Sequence, residues 1–350
     1  MLLQNLKQFC KSNLCFMKVK SQFYHSVSIG NLKLDGNLFL APVAGYSDCA
    51  FRHLCKRGGA DFSYTEMVSA EALVRGSDKT HDLMIRSSNE KSYAVQIFGG
   101  EAQTVSKAAV IVAQKVSPEV IDINAGCPVP KIIKTGAGSA LTRDPERLFD
   151  IVKQTKKSLE DAGNDIPVTV KIRSGWDSNL LTWKEAAKAA LEAGAAAITL
   201  HPRTRAQGYE GKADWMLLKE LVQLINKQIP IFASGDIFSA ENALTCFEQT
   251  GVDGVMFARG AIGNPFIFAE TRHFLLTGEK YSTMPNVRIS AGMEELDILI
   301  NLKGELTACR EMRKRFCAYS KGLDNASQMR SAIVSANTRS DYLAIFSEYI

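Results

Sequence analysis

The chain has 350 residues, 46% of them hydrophobic and 23% charged, with a formal net charge of +5. That balance excludes a disordered or collagen-like chain, and no apolar run approaches the roughly 20 residues of a membrane span. The eight cysteines include no CxxC pair, which excludes the common zinc-site spacings and points to a reducing, cytoplasmic setting rather than a disulfide framework.

Residues 1–28 read as an N-terminal extension. The stretch to residue 34 is free of acids, and its lysines interrupt any signal-peptide core. A frayed tail, or an upstream start with Met17 as the true beginning, is the plain reading. Ile29–Leu34 and Leu38–Leu40, with Asp35-Gly36 between them, predict a hairpin capping a barrel floor. Phe39–Ala44 predicts the first buried strand, and Ser47 caps a helix that ends at Gly58-Gly59. Further apolar strands are predicted at 62–66, 93–97, 120–124, 168–172, 197–201, 231–234 and 252–258. They show little alternation, as strands buried on both faces do. Helices are predicted at 101–116, 145–162, 183–193, 214–227, 240–249 and 265–276, with Pro145 opening its helix at the first turn.

Eight such βα units closing on themselves give a TIM (β/α)8 barrel over residues 29–277. An open doubly wound sheet is the alternative, but no G-x-G-x-x-G follows the first strand. After the loop 278–286 a helical period takes over, so residues 278–350 predict a small C-terminal helical domain.

Barrel chemistry lies at the carboxyl ends of the strands. Reading only those ends gives Pro42-Val43-Ala44, Glu66-Met67, Gln96, Asn124 with Cys127, Lys171 with Arg173, His201 with Arg203, Ser234-Gly235-Asp236 and Ala258-Arg259-Gly260. The last two loops occupy the usual phosphate site of this fold, and Arg259 adds a forked donor. Without a dinucleotide fingerprint, the ligand read here is a mononucleotide-type cofactor, with Gln96 and Lys171 against a flavin ring. Cys127 stands on a loop stiffened by Pro128 and Pro130, with Lys131 and Lys134 close behind. The plain readings are a buried structural thiol, a structural cation at Lys171 and a core histidine at His201.

The runs APVAGYSDCAFR (41–52), VQIFGG (95–100), DINAGCPVPKIIKTGAGSAL (122–141), VTVKIRSGW (168–176), LHPRTRAQGYEGKADW (200–215), ASGDI (233–237) and MFARGAIGNPFIF (256–268) resemble the tRNA-dihydrouridine synthases, most closely the bacterial B-type branch. The resemblance implies FMN held by Pro42, Val43, Ala44, Gln96, Lys171, His201, Ser234, Gly235, Asp236, Ala258 and Arg259. It implies Cys127 as catalytic acid and Asn124 beside the substrate uracil, with Arg173, Arg203, Arg205 and Tyr209 toward the substrate. Ser234, Ala258, Pro202 and Val43 depart from the residues usual in that family. The implied reaction is reduction of the C5–C6 double bond of a uridine in tRNA. NADPH reduces the FMN, hydride passes from flavin N5 to C6, and Cys127 protonates C5. The base leaves its stack to reach the barrel.

Arg310, Arg313 and Lys314 are spaced to share a helix face, and beside this resemblance they read as a tRNA-backbone patch. The chain is expected to act as a monomer, without metal or membrane. The alternatives are an FMN-dependent dehydrogenase of a small free pyrimidine, and a non-catalytic RNA-binding regulator.

Overall fold

The computed structural model describes residues 22–77 and 79–349. Met17 and most of the proposed extension lie outside the described residues. The first hairpin pairs β1 (Val27–Ile29) with β2 (Leu32–Leu34), Val27 opposite Leu34. Its turn is Gly30-Asn31, not the expected Asp35-Gly36. Gly30 takes φ +57°, a conformation that costs a residue without a Cβ little. A two-residue turn there ends the hairpin early and frees Leu38–Leu40 for the barrel. Ile29 and Leu34 share a buried cluster with Phe39, Phe62, Val120 and Phe232, so the hairpin closes the barrel floor.

The barrel strands are β3 (Leu38–Leu40), β4 (Phe62–Ser63), β5 (Val68–Ser69), β6 (Ala94–Phe98), β7 (Val120–Ala125), β8 (Val168–Gly175), β9 (Ile198–Thr204), β10 (Ile231–Ser234) and β11 (Gly254–Phe257). They run parallel in the order β4-β3-β11-β10-β9-β8-β7-β6-β5. The two ends of this order belong to one stave. Tyr64 bridges to Ala94, and Thr65 N–H donates to the Ala94 carbonyl at 2.9 Å, which closes the TIM barrel. The single strand expected at 62–66 is therefore two short pieces. Between them the Gln96 N–H donates to the Thr65 hydroxyl at 3.1 Å, and a side chain replaces the ladder. All six residues of β7 are buried, which explains the missing alternation.

The helix Cys49–Arg57 is capped by Asp48, whose carboxylate accepts from Phe51 N–H at 3.0 Å. The expected cap, Ser47, accepts instead from Val43 N–H at 2.9 Å and closes the loop after β3. The carboxylate reaches the exposed amides, while the shorter serine serves its own turn.

Beyond residue 278 the helices Pro285–Lys303, Glu305–Tyr319, Ala326–Ser335 and Arg339–Ile345 gather around Leu296, Met312, Phe316, Tyr319, Tyr342 and Phe346. Ala50 of the barrel belongs to the same core. Across this seam lies a buried charge network. Arg315 donates to Asp48 at 2.6 Å and to Glu295, while Tyr319 OH donates to Glu295 at 2.8 Å. Arg315 also reaches the Gly45 carbonyl at 3.3 Å. Among the described residues no helix is long and apolar enough to cross a membrane, and no group of acids, histidines and cysteines could hold a metal ion.

Removing Arg315 would strand Asp48 and Glu295 in a dry seam. Arg315→Met is expected to lose about 3–5 kcal/mol of unfolding free energy, read by urea titration.

Candidate active site at the mouth of the barrel

The carboxyl ends of the strands enclose a cavity of about 240 Å³. Its lining includes Pro42, Val43, Ala44, Gln96, Asn124, Cys127, Lys171, Arg173, His201, Tyr209, Ser234, Gly235, Asp236, Ala258 and Arg259. Residues from seven strand ends and their loops thus meet in one place. Met67, read at its strand end, also lines it, as do Val129, Phe238 and Met256, which sequence reasoning did not assign to the site. Met256 sits in the strand just before Ala258, so its position carried the signal. Phe238 and Val129 are exposed loop residues with no pattern to mark them.

A buried hydrogen-bond chain fixes the cavity floor. Asp122, 1% exposed, accepts from Thr169 Oγ1 and from Gln96 Nε2, each at 2.6 Å. Gln96 Oε1 accepts from Asn124 Nδ2 at 2.7 Å. Asn124 Oδ1 accepts the backbone N–H groups of Gly126 at 3.1 Å and Cys127 at 2.9 Å. An ionised carboxylate only accepts, so it sets the Gln96 amide with nitrogen toward Asp122 and oxygen toward Asn124. Asp122 was no candidate in the sequence, where it reads as one polar residue in an apolar strand. Burial, partly offset by the bonds from Gln96 and Thr169, pushes its carboxyl up to about 6.

The same chain carries the cysteine loop. The Cys127 carbonyl accepts from Ser139 N–H at 3.0 Å and Ser139 Oγ at 2.7 Å. Gly138 stands at φ +61°, and a Cβ there would meet that carbonyl at 2.7 Å. The Gly136-Ala137-Gly138 run is thus a backbone requirement of the thiol loop. Cys127 is 9% exposed, and burial raises its thiol above the usual range against the pull of Val129 N–H, Arg173 and Lys171. Lys171 is held down to about 8, first by burial and then by Arg173. Among the described residues its ammonium has no hydrogen-bond or ion-pair partner.

The other end of the cavity is arranged around Asp236, itself at φ +57°. Its carboxylate accepts from Arg203 at 2.7 Å, Ala213 N–H at 2.8 Å and Arg259 at 3.2 Å. Burial opposes its charge, but these donors outweigh burial and lower its carboxyl. Arg259 lies 4.7 Å from the Tyr209 ring centroid and 4.9 Å from that of Phe238, leaving its edge donors toward the cavity. The N–H groups of Asp236 and Ile237 donate to no protein acceptor among the described residues. His201 is buried, and burial with the surrounding cations pushes its imidazole well below the usual range, so it is neutral at pH 7. A Cβ on Gly235 would meet that ring at 2.7 Å.

The remaining candidates divide. Arg203 does not line the cavity. It is 1% exposed, and its guanidinium serves Asp236 and the carbonyls of Glu210 and Gly211. Arg173 lines the cavity but ties the Gly126 carbonyl to those of Thr204 and Gly208. Arg205 lies over the Trp176 ring. Arg310, Arg313 and Lys314 lie on one helix but have different surroundings. Arg313 is tied to the Ala336 carbonyl at 2.9 Å, Lys314 lies 4.4 Å from the Tyr46 ring centroid, and Arg310 is exposed.

The sequence model of the dihydrouridine synthase family matches residues 39–349. A probable tRNA-dihydrouridine synthase of Treponema pallidum (strain Nichols) is 49% identical over 324 residues, covering 92% of this chain and 95% of that protein. The tRNA-dihydrouridine synthase B of Pseudomonas aeruginosa is 37% identical over 306 residues, covering 87% and 90%. Among solved structures, histamine dehydrogenase from Rhizobium sp. 4-9 superposes with a TM-score of 0.54 at 14% identity, over 79% of this chain and 51% of that one. At that identity the likeness concerns the barrel alone.

Asp122 gives the floor a pH signature. Its unfolded carboxyl ionises near 4 and its folded one near 6. Its contribution to stability is therefore full below pH 4 and is lost as pH rises through 6. Relative to Asp122→Asn, the parent chain is expected to lose about 2–3 kcal/mol between pH 4 and pH 6.5, read by urea titration at both pH values.

Proposed function

The chain belongs to the dihydrouridine synthase family, and from that membership we propose that it reduces the C5–C6 double bond of uridines in tRNA, with FMN bound in the cavity and NADPH as reductant. The residues present fit a flavin mononucleotide. Pro42, Val43, Ala44 and Met256 offer an apolar wall. Gln96 is a pre-set amide, and Lys171 is a half-buried cation with no hydrogen-bond or ion-pair partner among the described residues, suited to a ring carbonyl or a reduced ring anion. Arg259 and the N–H groups of Asp236 and Ile237, which have no acceptor among the described residues, suit a phosphate. When bound, the flavin supplies the hydride chemistry that no side chain can.

The protein's own task is orientation and one proton. Asn124 and Ser139 hold the Cys127 loop at the cavity wall. A thiol pushed up by burial keeps its proton at neutral pH, as a donor to C5 must. Lys131 and Lys134 are exposed on the outer side of that loop, where they suit RNA phosphate and leave the thiol protonated. Asp236 keeps Arg259 and Arg203 on one carboxylate, so the phosphate end is set before a ligand arrives. The single observation that carries this reading is a buried cysteine lining one cavity with Gln96, Lys171 and Arg259.

The test uses cells lacking this gene and any second synthase, with digested tRNA read by mass spectrometry. The parent chain is expected to restore dihydrouridine, while Cys127→Ala keeps its flavin and loses about 100-fold or more in rate. Dihydrouridine unchanged by loss of the gene overturns the reaction. Equal restoration by Cys127→Ala overturns the acid.

A further inference from the structure

Most arginines of this structure are engaged. Arg52, Arg203 and Arg315 are buried on carboxylates, and Arg173 and Arg313 hold carbonyls. Arg143 and Arg205 differ. Their guanidinium carbons lie 4.4 and 4.7 Å from the centroid of one ring, Trp176. Among the described residues neither guanidinium has a hydrogen-bond or ion-pair partner. The acids next to Arg143 and Trp176 in sequence are engaged elsewhere. Asp144 pairs with Arg147 at 3.1 Å, and Asp177 accepts from Asn179 and Leu180 N–H within its own turn.

Three different segments build this cluster, and each leads to the cavity. Arg143 ends the short 3-10 helix Gly138–Arg143, whose Ser139 holds the Cys127 carbonyl. Trp176 follows the end of β8, the strand of Lys171 and Arg173. Arg205 follows β9, its N–H on the Gly175 carbonyl at 2.8 Å, and Ala206 N–H meets the Trp176 carbonyl at 2.8 Å. Stacking on an indole uses the face of a guanidinium and leaves its in-plane N–H donors free. The ring thus restrains two cations without neutralising either, and removes part of the entropy that two free arginines would lose on binding an anion.

We propose that Arg143, Trp176 and Arg205 form a phosphate subsite for the RNA backbone beside the target nucleotide. Trp176 is the platform and the two arginines are the donors. The proposal rests on the tRNA reading above and extends it to residues that do not line the cavity. Lys131 and Lys134, exposed on the same loop system, extend the cationic rim.

The experiment is equilibrium binding of unmodified tRNA to the flavin-loaded full chain from 50 to 250 mM salt, with steady-state kinetics alongside. Arg143→Ala/Arg205→Ala is expected to bind about tenfold or more weakly. Its log–log salt slope should fall by about 1.5, as two lost phosphate contacts require, and its KM for tRNA should rise far more than its kcat falls. Trp176→Leu is expected to lose affinity several-fold at an unchanged slope, because it keeps both charges. Trp176→Phe should recover most of that loss. A parent-like slope in the double alanine variant overturns the proposal whatever its affinity. Should that variant fail to retain flavin, Arg143→Lys/Arg205→Lys decides. Weaker binding at the parent slope supports the forked, stacked donors, and unchanged affinity overturns them. If the parent chain itself binds no tRNA, the functional reading fails first, and this subsite with it.

Discussion

One carboxylate that cannot reach water orders the mouth of this barrel. Asp122 sits inside the closed sheet with two donors on it, and the cheapest way to satisfy it is to fix both. Gln96 then has one free orientation, Asn124 takes the amide oxygen, and the backbone of Cys127 follows from Asn124. The backbone of Cys127 is thus held by three hydrogen bonds in series that begin at Asp122. A buried polar chain of this kind is stable only when every member is satisfied, so the floor behaves as one unit.

Three sets of cations in and around the mouth differ in their physics. Arg52, Arg203 and Arg315 are buried on carboxylates and shape loops. Lys171 and Arg259 line the cavity, one without a hydrogen-bond or ion-pair partner among the described residues and one shared with Asp236. Arg143 and Arg205 are held by an aromatic face and leave their charge to solvent. Net charge carries none of this division. What matters is which side of each guanidinium the protein has already used.

The barrel was legible because its strands are buried on both faces and its turns carry proline and glycine at the expected places. The strand-end rule gathers Gln96, Asn124, Cys127, Lys171 and Arg259 from the sequence, since parallel strands must all present the same end. Local competition was less legible. Asp48 caps the helix in place of Ser47, and Gly30-Asn31 turns the hairpin in place of Asp35-Gly36. In each pair both candidates satisfy the local rule, and tertiary packing chooses. The arginines were the least legible. Sequence spacing groups Arg310, Arg313 and Lys314, yet Arg313 meets Ala336 and Lys314 meets Tyr46, partners distant in the chain. Asp122 was hidden for the opposite reason. A polar residue within an apolar strand looks ordinary until its neighbours on adjoining staves are known.

The contact between Arg315 and the Gly45 carbonyl spans 270 positions of chain. Gly45 follows Ala44, which lines the cavity, and the Asp48 that Arg315 also holds caps the next helix. On a ribosome, every stave of the barrel is made before Arg315 leaves the exit tunnel. A nascent chain can therefore close its sheet while the first loop of its mouth still lacks its anchor. A segment made after the barrel thus anchors the first loop of its mouth.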